Sequence, residues 1–473
     1  MADSNTFPSD KRDEREQRLI RDLRHMYHTE GEIAQALSRV RSHLETSRTG
    51  RSDIRPSTQQ RDGLLSTQQA GSGQADGHGT STRFSQRKAW QQRTGSIAAA
   101  VFVTLLVGSL IVVLTRARHN SLGGPSNNSN QYGAISSIHM LDAQTGWAVT
   151  DKNRILRTTD GGVHWKNVTP NFPTSMTRQW IVTDFLTASN AWIGVSGIDM
   201  ATTVIFRTTD AGQMWQQATI QTSRGIVTQV NFVTSQDGWL LSKHPMSESA
   251  ETLELFRTTD GGRTWVKIAS ALAASLDIPP PGKLPFSGSK SGLSFLNATT
   301  GWVTGRIPVN GYILLYRTYD GGTTWYPQSL PLSPTERSSQ LSILPPLFFN
   351  VTDGVLPVSF DMGKGANLDV YVTHDGGTTW KGTTPLTAAA STADFIDVDH
   401  GWASDGTLLY VTGDGGKQWT TLSPGGSFQH IIHLDFVSSD IGWAIGATAA
   451  NAPTLLKTED AGHTWTAIPY TIS

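Results

Sequence analysis

The 473-residue chain contains no cysteine, which excludes disulfide staples, a thiol nucleophile and cysteine-ligated zinc. Glutamate is scarce past residue 119, where only Glu248, Glu251, Glu254, Glu336 and Glu459 occur, so paired-carboxylate chemistry has few candidates. Net charge is almost absent, −1 overall, but unevenly so. Residues 1–95 hold 16 Lys+Arg against 12 Asp+Glu, whereas residues 119–473 hold 20 against 27. An acidic C-terminal part argues against a nucleic-acid groove. Histidine pairs with metal-ligand spacing are missing too. His430 and His433 fall in a predicted strand, where an i, i+3 pair points to opposite faces. Neither a metal nor a cofactor is expected.

One long apolar run exists, Ser96–Thr115, twenty residues without a charge. It matches the length needed to cross about 30 Å of hydrocarbon as a helix. A buried core helix is the competing reading, but the flanks are a linker and a β-rich part that need none. Arg83, Arg87, Lys88 and Arg93 precede the run and only Arg116 and Arg118 follow closely. That bias predicts a single-pass membrane protein with a cytoplasmic N-terminus and an extracytoplasmic C-terminal part.

Upstream, residues 1–45 read as a charged helical segment. Leu19, Leu23, Met26, Ile33, Leu37, Val40 and Leu44 step by fours and threes, interrupted by Glu30 and Gly31. A helical hairpin, or self-association through residues 19–44, fits that pattern. Residues 46–95, rich in Ser, Thr, Gln, Gly and Arg, read as a disordered linker, and residues 116–131 as a second tether.

What the chain does have is a phrase repeated seven times, Thr-x-Asp-[Gly/Ala]-Gly-x-x-Trp. Its aspartates are Asp160, Asp210, Asp260, Asp320, Asp375, Asp414 and Asp460, and its tryptophans Trp165, Trp215, Trp265, Trp325, Trp380, Trp419 and Trp465. The aspartates lie 50, 50, 60, 55, 39 and 46 residues apart, the period of a four-stranded propeller blade. A second marker precedes six of the seven copies: Gly146-Trp147, Ala191-Trp192, Gly238-Trp239, Gly301-Trp302, Gly401-Trp402 and Gly442-Trp443, with Gly354-Val355 in the remaining one. The fold class predicted for residues 132–473 is therefore all-β, a seven-bladed β-propeller.

The phrase makes sense as a turn. Its Asp accepts backbone N–H bonds, the next residue takes positive φ, and Thr bonds locally. Each tryptophan buries roughly 150–250 Å², an upper estimate of about 4–6 kcal/mol. Present on every blade, the phrase is scaffold and marks no single site. Arg157, Arg207, Arg257, Arg317 and Lys457 precede five copies, where cation stacking near the phrase's tryptophan explains them.

In an antiparallel meander the turns joining strands one to two and three to four share one end. The connections joining strands two to three, and one repeat to the next, share the other. These are the variable ones, 170–180, 243–251, 269–292, 305–311, 330–346 and 359–367, and irregular loops on a rigid scaffold are where binding resides. The candidate binding residues are Arg178, Trp180, Lys283, Arg306 and Arg337; the expected ligand is a protein or an envelope polymer.

Ile-Leu-Arg-Thr-Thr-Asp-Gly-Gly (Ile155 to Gly162), its repeats and Gly-Trp-Ala-Val resemble the BNR or Asp-box propellers, and most of all the photosystem II stability/assembly factor family. The resemblance covers about residues 132–473 and implies a non-enzymatic, extracytoplasmic scaffold for membrane-protein assembly. The charged N-terminal segment and membrane span depart from that family and question a photosynthetic role; they also suit a sensor that signals through the N-terminal helix. Two enzyme readings compete. Sialidases share the Asp box, and Arg306-Ile307-Pro308 is similar to their Arg-Ile-Pro motif, although here it falls in the fourth repeat. They also need a Tyr–Glu nucleophile pair. Xyloglucanase-like glycosidases use two such propellers, and one exhausts this chain.

Overall fold

The computed structural model describes residues 129–473 apart from 174–180, 224, 248–249, 272–280, 362–365, 425–429 and 448–452. The predicted N-terminal helix with its self-association surface, the linker and the membrane span lie outside the described residues. Among the described residues no helix is long and apolar enough to cross a membrane.

The described chain is all-β. A four-residue helix, Ser129–Tyr132, leads into an antiparallel meander of Ile135–Met140, Gly146–Thr150, Ile155–Thr158 and His164–Asn167. Six more meanders follow, over 181–221, 226–271, 289–327, 340–382, 392–422 and 431–467. Burial grades across each. The second strand of repeat one, Gly-Trp-Ala-Val-Thr, is buried at every position, while the fourth strand of repeat two, Gln-Gln-Ala-Thr-Ile-Gln, is mostly exposed. Strands covered on both faces read as apolar runs, and outer edges read as polar ones.

Three connections expected to be irregular carry regular structure. Gly238–Ser247 and Ala250–Thr258 extend the 243–251 connection into a long hairpin, as Gly354–Asp361 and Ala366–Thr373 do for 359–367. The 330–346 connection holds a short helix, Pro334–Arg337, and a strand, Gln340–Ile343. Pro345-Pro346 then splits the first strand of repeat five, because proline cannot donate to a ladder. The piece before the break reaches back to repeat four, pairing Ser342 with Arg306.

The seven phrases form one turn. In repeat three, Thr258 Oγ1 donates to Asp260 Oδ1 at 2.8 Å and accepts from Gly262 N at 2.9 Å, while Thr264 N and Oγ1 donate to the Asp260 carboxylate. The residue after each Asp sits at positive φ, even where it is Ala211 or Ala461. Its N–H seats on the neighbouring turn: Gly161 on Gln144 O, Ala211 on Ser189 O, Gly261 on Gln236 O, and so on through Ala461 on Asp440 O, all between 2.8 and 3.0 Å. These bonds place both turn types at one end, as strand order requires.

Five pairs of successive repeats are joined by an aromatic relay. Trp239 of repeat three stacks on Phe295 of repeat four at 3.6 Å between centroids and 5° between planes, and Phe295 meets the phrase tryptophan Trp325 edge-on. The glycine of the Gly-Trp pair makes room. A Cβ on Gly301 would lie 2.4 Å from Phe295, and one on Gly238 the same distance from Phe232. Trp192, Trp239, Trp402 and Trp443 then donate Nε1 to a backbone carbonyl of the next repeat's turn. The cations stack here instead of on the phrase tryptophan: Arg157, Arg257, Arg317 and Lys457 lie over Trp147, Trp239, Trp302 and Trp443 at 5.0–5.8 Å. Each of these cations is the cross-strand partner of the second-strand tryptophan, as Trp239 faces Arg257, and this brings it over that ring.

The first and last repeats meet through side-chain to backbone bonds, with Met140 in the place of the relay phenylalanine. Trp443 Nε1 donates to Gly161 O, Met140 N to Asp435 Oδ2 and His433 Nε2 to Ile138 O. Thr471–Ile472 adds a parallel strand to His164–Trp165 on the outer edge of repeat one.

Candidate binding face

Opposite the phrase turns, the chain builds a corner where repeats four and five meet. Arg306 ends the second strand of repeat four and pairs with Ser289 on one side and Ser342 on the other. Its guanidinium donates to Gln340 Oε1 at 2.7 Å. The connection after it is tied to the short helix, Gly311 N to Ser339 O at 2.7 Å and Asn310 Nδ2 to Ser338 O at 2.7 Å. Arg337, exposed at the helix end, donates Nε to Leu332 O. Arg306 and Arg337 thus share one corner, on strand-anchored backbone. Lys283 is exposed elsewhere: Gly282 O accepts from Trp325 N at 3.0 Å, which puts Lys283 beside the phrase end of repeat four. Arg178 and Trp180 lie outside the described residues.

Behind the corner stands a group that the sequence reading missed. Ser333 and Glu336 form a capping box, and Glu336 is buried. Tyr371 Oη donates to its carboxylate at 3.0 Å. This is the tyrosine–glutamate pairing that the sialidase reading requires. Its environment is wrong for a nucleophile, because both side chains are buried, at 0% and 1% exposure. Burial, reinforced by Glu336 and Asp369, also drives the Tyr371 phenol far above its ordinary range. An activated phenolate needs the opposite shift. Asp369 is pushed up to about 7, first by burial and then by Glu336, and accepts from Thr383.

A second buried charge lies between repeats three and four. Lys290, wholly buried, donates Nζ to the carbonyls of Phe286, Ser287 and Gly288 at 2.9–3.2 Å, and burial lowers its pKa to about 8. Glu251 accepts from Lys290 N, and Lys243 donates to Lys290 O. An amine sealed by three carbonyls fixes a turn and meets no substrate. Glu254 is likewise committed, to Ser223 and Lys267.

The innermost strands carry a third group. In four repeats the residue before the Phe that ends the first strand bonds across to the next repeat. Asp184 accepts from Phe232 N, Asn231 from Phe295 N, Asp394 from Phe436 N and Asp435 from Met140 N. Burial pushes Asp184 and Asp394 up to about 7, and pushes Asp435, next to Asp394, higher than its ordinary value. His433 is lowered to about 4 by burial and donates to Ile138 O. His430 precedes the strand at positive φ, so the two histidines share no strand face. Among the described residues no group of three or more His, Cys, Asp or Glu is placed to hold a metal ion.

The chain resembles the Asp-box propellers. The family described as Sortilin, neurotensin receptor 3 (Sortilin-Vps10) matches residues 153–275. Among solved structures, YCF48 from Cyanidioschyzon merolae is 17% identical, with a TM-score of 0.47 over 69% of this chain and 96% of that one. YCF48 bound to D1 peptide is also 17% identical, with a TM-score of 0.45 over 70% and 94%. The GH74 xyloglucanase from Xanthomonas campestris is 14% identical, with a TM-score of 0.32 over 71% of this chain and 67% of its own. No curated protein matches the sequence.

Proposed function

We propose that this is a membrane-anchored, extracytoplasmic, seven-bladed Asp-box propeller that serves as a non-catalytic protein-binding or assembly scaffold. One meander makes one blade, and the corner of Arg306 and Arg337 on the variable-loop face takes the partner. One observation carries the reading: among the described residues, the box carboxylates and the buried glutamates are committed to the fold. Box carboxylates hold their own turns, as Asp260 and Asp320 do. Glu251, Glu254 and Glu336 hold buried backbone and side-chain donors. What varies between blades is the loop face, with basic residues on rigid backbone, a surface that suits an acidic or carboxylate-bearing protein segment.

The pairing of Tyr371 with Glu336 favours the sialidase reading in residue type alone. Affinity capture with the detergent-solubilised full chain tests both readings. Arg306→Ala with Arg337→Ala should reduce partner recovery at least about tenfold, as expected for loss of charge-assisted bonds. Gln213→Ala, Thr323→Ala and Gln418→Ala, in the box turns, should leave recovery unchanged. Equal loss from both sets would remove the loop face as the site. Sialoside turnover abolished by Tyr371→Phe in a folded protein would replace the scaffold reading with catalysis.

A further inference from the structure

Among the described residues, six of the seven junctions between the strands of successive repeats are stitched by hydrogen bonds, and one is not. Repeats one and two are joined by Trp147 Nε1 to Thr187 O and Arg157 Nε to Ala188 O. Repeats two and three have Trp192 Nε1 to Gly261 O and Phe232 N to Asp184. Repeats three and four add Trp239 to Gly321 O and two bonds between Gln229 and Leu293. Repeats four and five have Arg317 to Gly376 O and Gly377 O, Arg306 to Gln340 and the bridge of Arg306 with Ser342. Repeats six and seven have Trp402 to Ala461 O and Phe436 N to Asp394. Repeats seven and one have the three closing bonds described above.

Between the strands of repeats five and six, among the described residues, no hydrogen bond or ion pair crosses. The cause is legible in the residues. Val355 stands where the other six repeats have the second-strand tryptophan, Val372 where five of them have a cation and repeat six has Val411, and Leu347 where four of them have an Asp or Asn that accepts from the next repeat. Phe395, next in the relay, packs against Val355 and Val370 in place of an indole. The box tryptophans of these two repeats, Trp380 and Trp419, each bury an Nε1 with no acceptor, whereas Trp165, Trp265, Trp325 and Trp465 donate to their own turn's glycine. All the substitutions run one way, from directional contacts to aliphatic packing.

We propose that the junction between repeats five and six is the opening point of the propeller: its two faces part locally while the other six junctions stay closed. Apolar packing holds every junction closed and resists parting in proportion to the area exposed; the five–six junction differs in lacking the net contribution of the directional bonds that the other junctions add to that packing. Stability is not uniform across a fold, and the segment with the fewest directional contacts opens first. Separation would expose Val355, Val370 and Phe395, an apolar strip held inside the closed form. The inference does not depend on the binding face at Arg306 and Arg337, because the two lie on opposite sides of repeat five.

The cysteine-free chain makes the test direct. Val355→Cys places a thiol in the five–six junction and Val303→Cys places one in the three–four junction; both positions are 0% exposed in the native fold. The folded full chain is treated with a small aromatic disulfide reagent over a series of low urea concentrations. Cys at position 355 should be labelled at least about tenfold faster than Cys at position 303, as expected if two net hydrogen bonds are missing, and its rate should hardly change with urea, the mark of local opening. Equal rates, or two rates rising steeply together with urea, would overturn the proposal. Val370→Cys, equally buried in the same cluster, repeats the measurement if Val355→Cys lowers the melting temperature below that of Val303→Cys.

Discussion

Aspartate has two opposite fates in this molecule, at the box end and on the innermost strands. Asp260 and Asp375 are held at about 2. Partial burial acts against this, but the N–H and hydroxyl donors of the turn outweigh it. Asp184 and Asp394, which each gain a backbone N–H from the next repeat, are held at about 7, because burial outweighs those bonds. The difference is one of supply. A box turn offers each carboxylate up to four donors beside solvent; an innermost strand offers one or two among packed neighbours. The same side chain therefore adds to stability at neutral pH in the first place and subtracts from it in the second.

The tryptophan that links the two regions should give the largest effect. Trp239 is buried, stacks on Phe295 and donates to Gly321 O in the next box. Trp239→Ala should cost about 3–5 kcal/mol of unfolding free energy in chemical denaturation, and Trp239→Phe distinctly less, because the stack survives without the bond. If both variants cost the same, the link is the hydrogen bond and not the aromatic relay.

Asp260→Ala should cost about 1–3 kcal/mol near pH 7, the cost of leaving turn donors unsatisfied. The sign of its pH dependence is fixed by the depressed pKa. The contribution is complete above about pH 4 and lost as pH falls toward 2. Wild type and variant should therefore converge in acid. A gap that stays constant down to pH 2 would mean that the carboxylate's charge is irrelevant and the turn needs only its shape.

The repeat period and the Asp-to-Gly chemistry make the all-β class and the seven box turns legible in the sequence; of the phrase tryptophans, Trp165, Trp325 and Trp380 are buried as residue type implies, while Trp215, Trp265, Trp419 and Trp465 are half-buried. The corner at Arg306 was half readable. Arg306 and Arg337 are legible as loop-face bases, but Gln340 and the reach of Ser342 depend on the prolines that split a strand. Tyr371 and Glu336 are 35 residues apart, and no local pattern joins them, because a cross-repeat contact leaves no trace in periodicity. The innermost aspartates left a faint signal: they occupy the position before the terminal Phe in Asp184-Phe185, Asp394-Phe395 and Asp435-Phe436. Recognising it needed the neighbouring strand, which supplies the partner N–H.

Asp184 gives the smallest and most selective test. Asn231 occupies the same position one repeat on and accepts the same kind of bond, from Phe295 N at 3.2 Å, so Asp184→Asn keeps the geometry while removing the charge. Asp184 titrates at about 7 in the fold against an ordinary 3.8, which means the folded state binds the extra proton. Its favourable contribution is complete below about pH 4 and lost as pH rises through about 7. The variant should be more stable than wild type at pH 8, on the order of 1 kcal/mol after allowance for partial exposure. The difference should close as pH falls toward 4. Thermal melts of both proteins at a series of pH values read that difference directly, and taking it cancels the opposing titration of His433, which loses stability as pH falls from 6.5 toward 4. A variant less stable than wild type at pH 8 would show that the Asp184 carboxylate, charged, is a better acceptor for Phe232 N than burial allows, and the contrast between the two sets of aspartates would fail at the innermost strands.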